Sequence, residues 1–368
     1  MKKKKKQLVF SLAFFPLLFA GISAVSTGYA YATEEQAVAE AELLTMEKAI
    51  MYVQHANQEV ATAKLDAENA GINGRLTLGQ LRGIPAEEID SLQLAQQKYV
   101  TKAQSEMNTR ITSIYAQALD ADVRYRAILS YYDLLNAYKA REWKKHRFQR
   151  TLELVQSASA STGPKRLASD RLQAEVRANG AQAELAFAQL NWEAEKIKQN
   201  EFLGVAADKE WRFSEEEGVA PELPVKIEDA IESTKIHKFA VQQRKEEMQI
   251  AQLGVSMISQ YSALSTFPGK MARNNLEKAE IALETTVRSA LFELYAAFQR
   301  YEDGKQLVQV SRKGMDLATN YYEEKVKQYR QGGISLNEAL QAEQDLADQE
   351  TLYVAAIHDF NKNYAKFQ

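Results

Sequence analysis

The histidines are the residues of this chain that could most readily act in catalysis or bind a metal, but their spacing favours neither role. His55, His146, His237 and His358 lie far apart, and no HExxH or other ligand spacing joins them. His55 and His237 occupy nearly equivalent positions in two similar halves, so a metal site there is an alternative. The chain also has no cysteine, no glycine-rich phosphate loop and no nucleophile elbow. The pattern therefore predicts neither an enzyme nor a cofactor.

The stretch YRQGGISLNEALQAEQDL, residues 329–346, predicts a helix, a tight turn and a second helix. Gly332-Gly333 interrupts a strongly helical sequence, because each glycine costs a helix about 1 kcal/mol relative to alanine. Ser335 then has the side chain of a helix N-cap, and Glu338 completes a capping-box spacing. The sequence predicts a sharp turn between two long helices that exposes backbone and Ile334 to a partner. A turn with a purely structural role is the alternative, since any helical hairpin needs a glycine and a cap.

Proline and glycine divide the rest of the chain into long helical segments. The dividing residues after the N-terminal region are Pro85, Pro164, Pro221, Pro224, Pro268 and Gly332-Gly333. The predicted helical segments are 34–70, 86–160, 165–203, 226–253, 270–331 and 335–367. Apolar residues recur every seven positions in the fifth segment, at Val287, Leu294, Tyr301, Val308, Met315, Tyr322 and Tyr329. This repeat predicts an all-α fold of long antiparallel helices with coiled-coil packing.

Two halves of the chain resemble each other, which predicts a tandem repeat. MEKAI at 46–50 parallels IEDAI at 227–231, and DVRYRAILSYYDLL at 122–135 parallels TVRSALFELYAAFQ at 286–299. The predicted organisation is a signal peptide at 1–32, a first helical repeat at 33–204, a linker at 205–225 and a second helical repeat at 226–368.

The N-terminal residues have the parts of a secretory signal. Five lysines precede an apolar stretch from Leu8 to about Ala20, and small residues follow up to Ala30-Tyr31-Ala32. We expect cleavage after Ala32, with an uncleaved anchor as the alternative. Cleavage lowers the 46 basic residues to 41 and leaves 49 acidic ones, so the net charge of −3 becomes −8. An exported acidic chain is a poor candidate for binding nucleic acid.

The C-terminal stretch resembles the signature of the TolC-like outer membrane efflux family. The matching residues are Tyr329, Gly332, Ser335, Leu340, Ala342, Tyr353, Ala356, Asp359, Phe360 and Asn361. The first half resembles the same pattern at Gly163, Leu172, Ala174, Glu175, Leu185, Ala188 and Leu203-Gly204. The resemblance covers most of residues 40–368, and a duplicated architecture is itself a trait of that family.

The resemblance implies a homotrimer whose helices form a tunnel, an α-barrel, outside the cytoplasm. The helix turns of such a tunnel dock a membrane-fusion adaptor protein that is coupled to an inner-membrane exporter. By position, the adaptor-binding tip consists of Tyr329, Gly332, Gly333, Ile334, Ser335 and Leu336. Its counterpart in the first half comprises Thr162, Gly163, Pro164 and Leu167, and it departs from the family pattern by carrying Pro164-Lys165-Arg166.

The end of the implied tunnel that lies opposite the helix turns departs further from the family. The family places two membrane strands in each half, whereas the stretches predicted here to be non-helical, 71–85 and 254–268, could each hold one strand at most. We therefore expect little or no β-barrel and do not expect membrane insertion. The predicted location is the cell envelope: the outer membrane or periplasm, or the cell-wall zone of a cell that lacks an outer membrane.

Three functions fit these expectations. The first is an efflux or export conduit that docks an adaptor. The second is a helical structural or interaction protein of the envelope without a pore. The third, a pore-forming toxin, requires a continuous apolar segment that enters lipid, and only residues 254–268 approach one. We take the conduit as the prediction and the structural protein as its alternative.

Overall fold

The fold is taken from a computed structural model, which describes residues 41–160, 168–214, 218–223 and 226–367. The predicted signal peptide at 1–32 lies outside the described residues. Among the described residues, 41–42 and 210–212 form one unit, and the rest form a second. In the first unit, Arg212 Nε donates a hydrogen bond of 2.9 Å to the carbonyl oxygen of Ala41.

The described part of the chain begins with short elements, and long helices follow. The elements of the first half are β1 (Glu42–Leu43), α1 (Met46–Ala56), α2 (Gln58–Leu81), α3 (Leu92–Ala95), α4 (Thr101–Ala160), α5 (Ala168–Leu203) and β2 (Trp211–Arg212). A π-helical segment, Gln96–Val100, joins α3 directly to α4. β2 belongs to the first unit, as does Glu42 of β1, and the two strands pair as a two-stranded sheet.

The second half has the same order of longer helices, without a counterpart of α3 and the π-helical segment. Its elements are α6 (Ile227–His237), α7 (Phe239–Tyr261), α8 (Phe267–Arg330) and α9 (Leu336–Ala365). Helices α1 and α6 both have 11 residues, and α2 and α7 have 24 and 23. Helices α4 and α8 have 60 and 64 residues, so each is about 90 Å or more in length at 1.5 Å per residue.

The long helices of the second unit pack as two antiparallel hairpins that lie side by side. Helix α5 packs on α4, α4 on α9, and α9 on α8. Nearer the other ends of α4 and α8, α2 packs on α4 and α7 on α8. Aromatic residues close the base of the first hairpin, where the half-buried Tyr138 ring lies 5.7 Å from the buried Trp192 and 5.1 Å from the buried Phe213. The predicted fold class, an all-α protein of long antiparallel helices, is confirmed.

Two stretches that were predicted to be non-helical are helical for most of their length, so that prediction was wrong. Helix α2 continues to Leu81 and α7 continues to Tyr261. Isolated glycines such as Gly74 weaken a helix, but packing against a neighbouring helix outweighs that cost. Gly74 lies against α4, where a Cβ atom would come within 2.8 Å of the hydroxyl oxygen of Thr109.

Two further helix boundaries occur where the sequence has neither proline nor glycine. Asn57 separates α1 from α2, and its side-chain oxygen accepts hydrogen bonds from the backbone N–H groups of Glu59 and Val60. Lys238 separates α6 from α7 with an extended backbone, at ψ 122°. Pro268, by contrast, lies in the first turn of α8, where proline is well tolerated because that N–H has no helical partner.

Candidate docking site at the helix turn

The turn between α8 and α9 is stabilised by its own backbone. Gly332 has a φ of +77°, a conformation that glycine adopts with little strain. The N–H of Gly332 donates to the carbonyl of Tyr329, and the N–H of Gly333 donates to the carbonyl of Gln328, each at 2.9 Å. This pair of hydrogen bonds is a Schellman motif, which satisfies the last carbonyl groups of α8.

A capping box begins α9 immediately after this turn. The Ser335 hydroxyl oxygen accepts the Glu338 backbone N–H at 3.3 Å, and Glu338 Oε2 accepts the Ser335 backbone N–H at 3.0 Å. The backbone and side-chain hydrogen bonds from Ser335 lower the pKa of the Glu338 carboxyl. The prediction of two helices joined by a tight turn between residues 329 and 346 is therefore confirmed.

An apolar cluster beneath the turn joins the ends of both hairpins. Its buried members come from α4, α5, α8 and α9: Leu154, Ala158, Ala174, Tyr322, Val326, Tyr329, Leu336, Ala339, Leu340, Ala342 and Leu346. We call this set the tip cluster. The C-terminal end of α4 and the N-terminal end of α5 therefore pack against the adjoining ends of α8 and α9.

The predicted docking residues divide into a buried group and an exposed group. Tyr329 and Leu336 belong to the tip cluster, with only 1% and 2% of their surface exposed. Gly332, Gly333 and Ser335 are exposed, and Ile334 is half-buried against the cluster. The surface that this turn can offer to a partner is therefore centred on the two glycines and Ser335, with Tyr329 and Leu336 supporting it from below.

The remaining predicted docking residues lie between α4 and α5 in the sequence. Thr162, Gly163, Pro164 and Leu167 lie outside the described residues. Polar contacts connect the neighbouring helices near this point. Gln173 Nε2 donates to Asn337 Oδ1 at 3.2 Å, and an exposed ion pair of 3.6 Å joins Arg330 to Glu153.

A cluster of ion pairs between charged side chains, most of them withdrawn from water, lies beyond the tip cluster and was not predicted from the sequence. On α4, Arg147 contacts Glu184 of α5 at 2.6 Å and Glu343 of α9 at 3.5 Å. Arg150, one turn further along α4, contacts Glu350 at 2.7 Å and Glu343 at 3.4 Å. Its guanidinium carbon lies 5.8 Å from the centre of the Tyr322 ring, which belongs to α8. This ionic cluster connects all four long helices.

Burial and neighbouring charges act in opposite directions on the acids of the ionic cluster. Burial raises the pKa of Glu343, although the positive charges of Arg147 and Arg150 act to lower it. Burial also acts to raise the pKa of Glu184, but hydrogen bonds and charges from Lys144 and Arg147 outweigh it, and that pKa is lowered. Burial raises the pKa of Tyr322 to about 12. The sequence feature that could have indicated this cluster is the spacing of Arg147 and Arg150 on one face of α4, together with Glu343 and Glu350, which are seven residues apart on α9.

A second polar contact joins α4 to α9 further from the tip. His358 Nε2 lies 2.7 Å from Asp133 Oδ1, and Lys362 Nζ lies 3.3 Å from the same oxygen. The described ranges contain no group of three or more histidine or acidic side chains placed to hold a metal ion. Among the helices that the structure describes, none combines the length and the apolar composition needed to cross a bilayer.

The fold is that of bacterial outer-membrane channels. The outer-membrane channel OprN superposes with a TM-score of 0.66 at 12% identity, over 87% of this chain and 88% of that one. The CmeC outer membrane channel of Campylobacter jejuni gives a TM-score of 0.64 at 11% identity, over 98% of this chain and 92% of that one. The MtrE outer membrane channel of Neisseria gonorrhoeae gives 0.63 at 12% identity, over 87% of each chain.

These superpositions confirm the resemblance that the C-terminal signature indicated, at the level of the fold. Each of these three proteins is an outer-membrane channel. No family model matches the sequence. No curated protein matches it either.

Proposed function

We propose that this protein is a component of an efflux or export conduit in the cell envelope. Three copies form a helical tunnel, and the α8–α9 turn docks a membrane-fusion adaptor protein that is coupled to an inner-membrane exporter. The fold shared with outer-membrane channels along nearly the whole chain supports this role. We propose no enzymatic activity.

The observation that carries the proposal is the arrangement of the two hairpins at the tip. The tip cluster draws Ala158 and Ala174 of the first hairpin together with Tyr329 and Leu336 of the second. This packing brings the ends of all four long helices together, and Gly332 and Gly333 are exposed to solvent above the cluster. A partner that approaches along the helix axes meets a rigid, backbone-rich surface, which suits docking of a helical hairpin.

The alternative is a helical structural protein of the envelope without a pore. It accounts equally for the long helices and for the buried ionic cluster between α4, α5 and α9. The two functions differ in whether the protein takes part in moving a cargo out of the cell. A conduit predicts that cells without this protein retain a fluorescent efflux substrate such as ethidium, whereas the structural protein predicts unchanged retention.

A site-specific cross-link tests the docking surface directly. A photoreactive amino acid replaces Gly333 in the organism that encodes the protein, and captured proteins are identified by mass spectrometry. The matched control carries the same amino acid at Gly79, an exposed glycine of α2 with open space around it. The proposal predicts capture of an exported protein with a helical-hairpin segment at position 333 only. Equal capture at both positions, or no capture at 333, argues against docking at this turn.

A further inference from the structure

The turn between α7 and α8 carries the most exposed large apolar side chain among the described residues. Phe267, in the first turn of α8, is 84% exposed, and Met271, one helical turn further on, is 65% exposed. The two side chains share one face of α8, because residues four apart lie above one another on a helix. They lie at the end of this 64-residue helix that is far from the tip cluster. Two adjacent large apolar side chains in water mark a surface that a partner can cover.

The backbone around the turn holds Phe267 in this exposed position. The Thr266 hydroxyl oxygen caps α8 by accepting the Gly269 N–H at 3.3 Å. Arg273 Nη2 donates to the carbonyl oxygen of Leu264 at 3.1 Å. Gly269 packs so closely on Leu264 that a Cβ atom would lie 2.5 Å from the Leu264 Cα atom. Hydrogen bonds and close packing therefore fix the turn, and the exposure of Phe267 is not that of a loose loop.

The stretch around this turn contains no acidic residue. Between Glu247 and Glu277 the charged residues are Lys270 and Arg273, and both are exposed. Every exposed residue from 252 to 275 is uncharged or basic. The whole chain has 49 acidic and 46 basic residues, so the charge of this surface departs from the overall balance. The turn thus combines two exposed apolar side chains with two cations and no anion.

We propose that the α7–α8 turn contacts a phospholipid surface, where Phe267 and Met271 enter the interfacial layer and Lys270 and Arg273 reach phosphate oxygens. Aromatic and long apolar side chains favour the boundary between headgroups and acyl chains. Neighbouring lysine and arginine side chains keep their charges among the headgroups while their aliphatic stems lie against apolar groups. The turn lies on the lipid surface in this contact and does not span it. The contact goes beyond the proposed conduit and does not depend on it.

The neighbouring turn limits how much of this end can approach lipid. Residues 82–91, between α2 and α3, expose Glu87, Glu88 and Asp90. This turn leads into α3, which packs on α7. Phosphate groups repel these carboxylates, so the contact is centred on the α7–α8 turn and leaves residues 82–91 in water.

A fluorescent label next to Phe267 tests the contact in the full chain, which has no cysteine of its own. Ser265 is exposed in the turn, and Ser265→Cys is labelled with nitrobenzoxadiazole, a fluorophore whose emission rises in apolar surroundings. Vesicles of phosphatidylcholine and phosphatidylglycerol are then titrated in. The matched control carries the label at Leu352→Cys, because Leu352 is 56% exposed on α9. We expect an emission gain of at least twofold from the label at position 265 only.

Two further substitutions separate the apolar part of the contact from the charged part. In labelled Ser265→Cys protein, Phe267→Ser and Lys270→Glu should each raise the lipid concentration for half-maximal emission at least fivefold. Lys313→Glu makes the same charge change at another exposed position of α8 and should leave that concentration unchanged. Circular dichroism verifies that every variant keeps its helicity.

Several outcomes would overturn the lipid contact. These are no gain at position 265, equal gains at positions 265 and 352, and a gain that Phe267→Ser and Lys270→Glu leave unchanged. A gain that grows with protein concentration without vesicles would assign the turn to a second copy of the chain instead. A gain with soluble polyphosphate but not with vesicles would assign it to a phosphate polymer. Each of these outcomes leaves the proposed conduit in place, because efflux and capture at Gly333 test that function separately.

Discussion

Arg150 and Glu350 form a bidentate ion pair between α4 and α9, with Nη1 to Oε1 at 2.9 Å and Nη2 to Oε2 at 2.7 Å. Both side chains are largely withdrawn from water. Two parallel hydrogen bonds fix the orientation of both groups and therefore the register of the helices that carry them. This pair connects the first hairpin to the second at a point where sequence periodicity alone sets no register.

Removing one partner of this pair should destabilise the protein strongly. Glu350→Ala leaves the Arg150 guanidinium buried without its main acceptor, and losses of this kind cost about 3–5 kcal/mol. The free energy of unfolding is measured by urea denaturation. Glu175→Ala is the control, since it breaks an exposed pair with Arg171 and should cost no more than about 1 kcal/mol. Equal losses in both variants would show that the buried pair does not hold the hairpins together.

The contact of Asp133 with His358 and Lys362 should make stability depend on pH in the acid range. Burial opposes ionisation of Asp133, but hydrogen bonds and positive charges from both partners outweigh it and hold its pKa below the ordinary 3.8. The folded state thus binds fewer protons than the unfolded state near this pH. Its stabilisation is complete above 3.8 and is lost as the pH falls through the lowered pKa.

The Asp133→Asn variant tests that dependence. Its free energy of unfolding should be lower than that of the unmodified protein at about pH 5, and the difference should shrink steadily towards about pH 2. Urea denaturation at intervals over this range gives the comparison. A difference that stays constant with pH would mean that the charge of Asp133 does not contribute to stability.

The left-handed backbone at Gly332 should make this position sensitive to any side chain. Gly332→Ala places a Cβ atom at φ +77° and should cost about 1–2 kcal/mol. Gly79→Ala makes the same chemical change inside α2, where nothing lies within 4 Å of the new Cβ atom, and should stabilise by about 1 kcal/mol. Opposite signs in thermal or urea unfolding confirm the backbone argument, whereas equal signs contradict it.

Local chemistry made the turn and the C-terminal helix predictable. Gly332, Gly333, Ser335 and Glu338 act on backbone groups within five residues of themselves, so their roles can be read from the chain alone. The heptad spacing of Val308, Tyr322 and their neighbours predicted long packed helices, because this repeat can also be read within one continuous segment of the chain. Helix continuity through Gly74 could not be predicted in this way, because it depends on α4 packing alongside.

Contacts between distant segments determined the rest of the candidate site. Arg147 and Glu343 are 196 positions apart, and their contact depends on the register of α4 against α9. The burial of Tyr329 and Leu336 depends likewise on the first hairpin, whose Leu154 and Ala158 complete the tip cluster. The sequence placed these residues at the turn, but only the packing of both hairpins decides which of them reach solvent.

A charged side chain at an exposed glycine of the turn should leave the fold intact but should weaken docking of a partner. Gly333→Glu leaves the N–H that donates to Gln328 in place, whereas Gly333→Pro would remove it. A Cβ atom at Gly333 meets only the Gln328 carbonyl oxygen, at 3.4 Å. We expect Gly333→Glu to lower co-purification of the proposed adaptor at least tenfold, because a buried unpaired charge at an interface is costly. Gly79→Glu should leave it unchanged, with helicity by circular dichroism equal in both variants. Undiminished co-purification by Gly333→Glu would exclude this turn from adaptor docking.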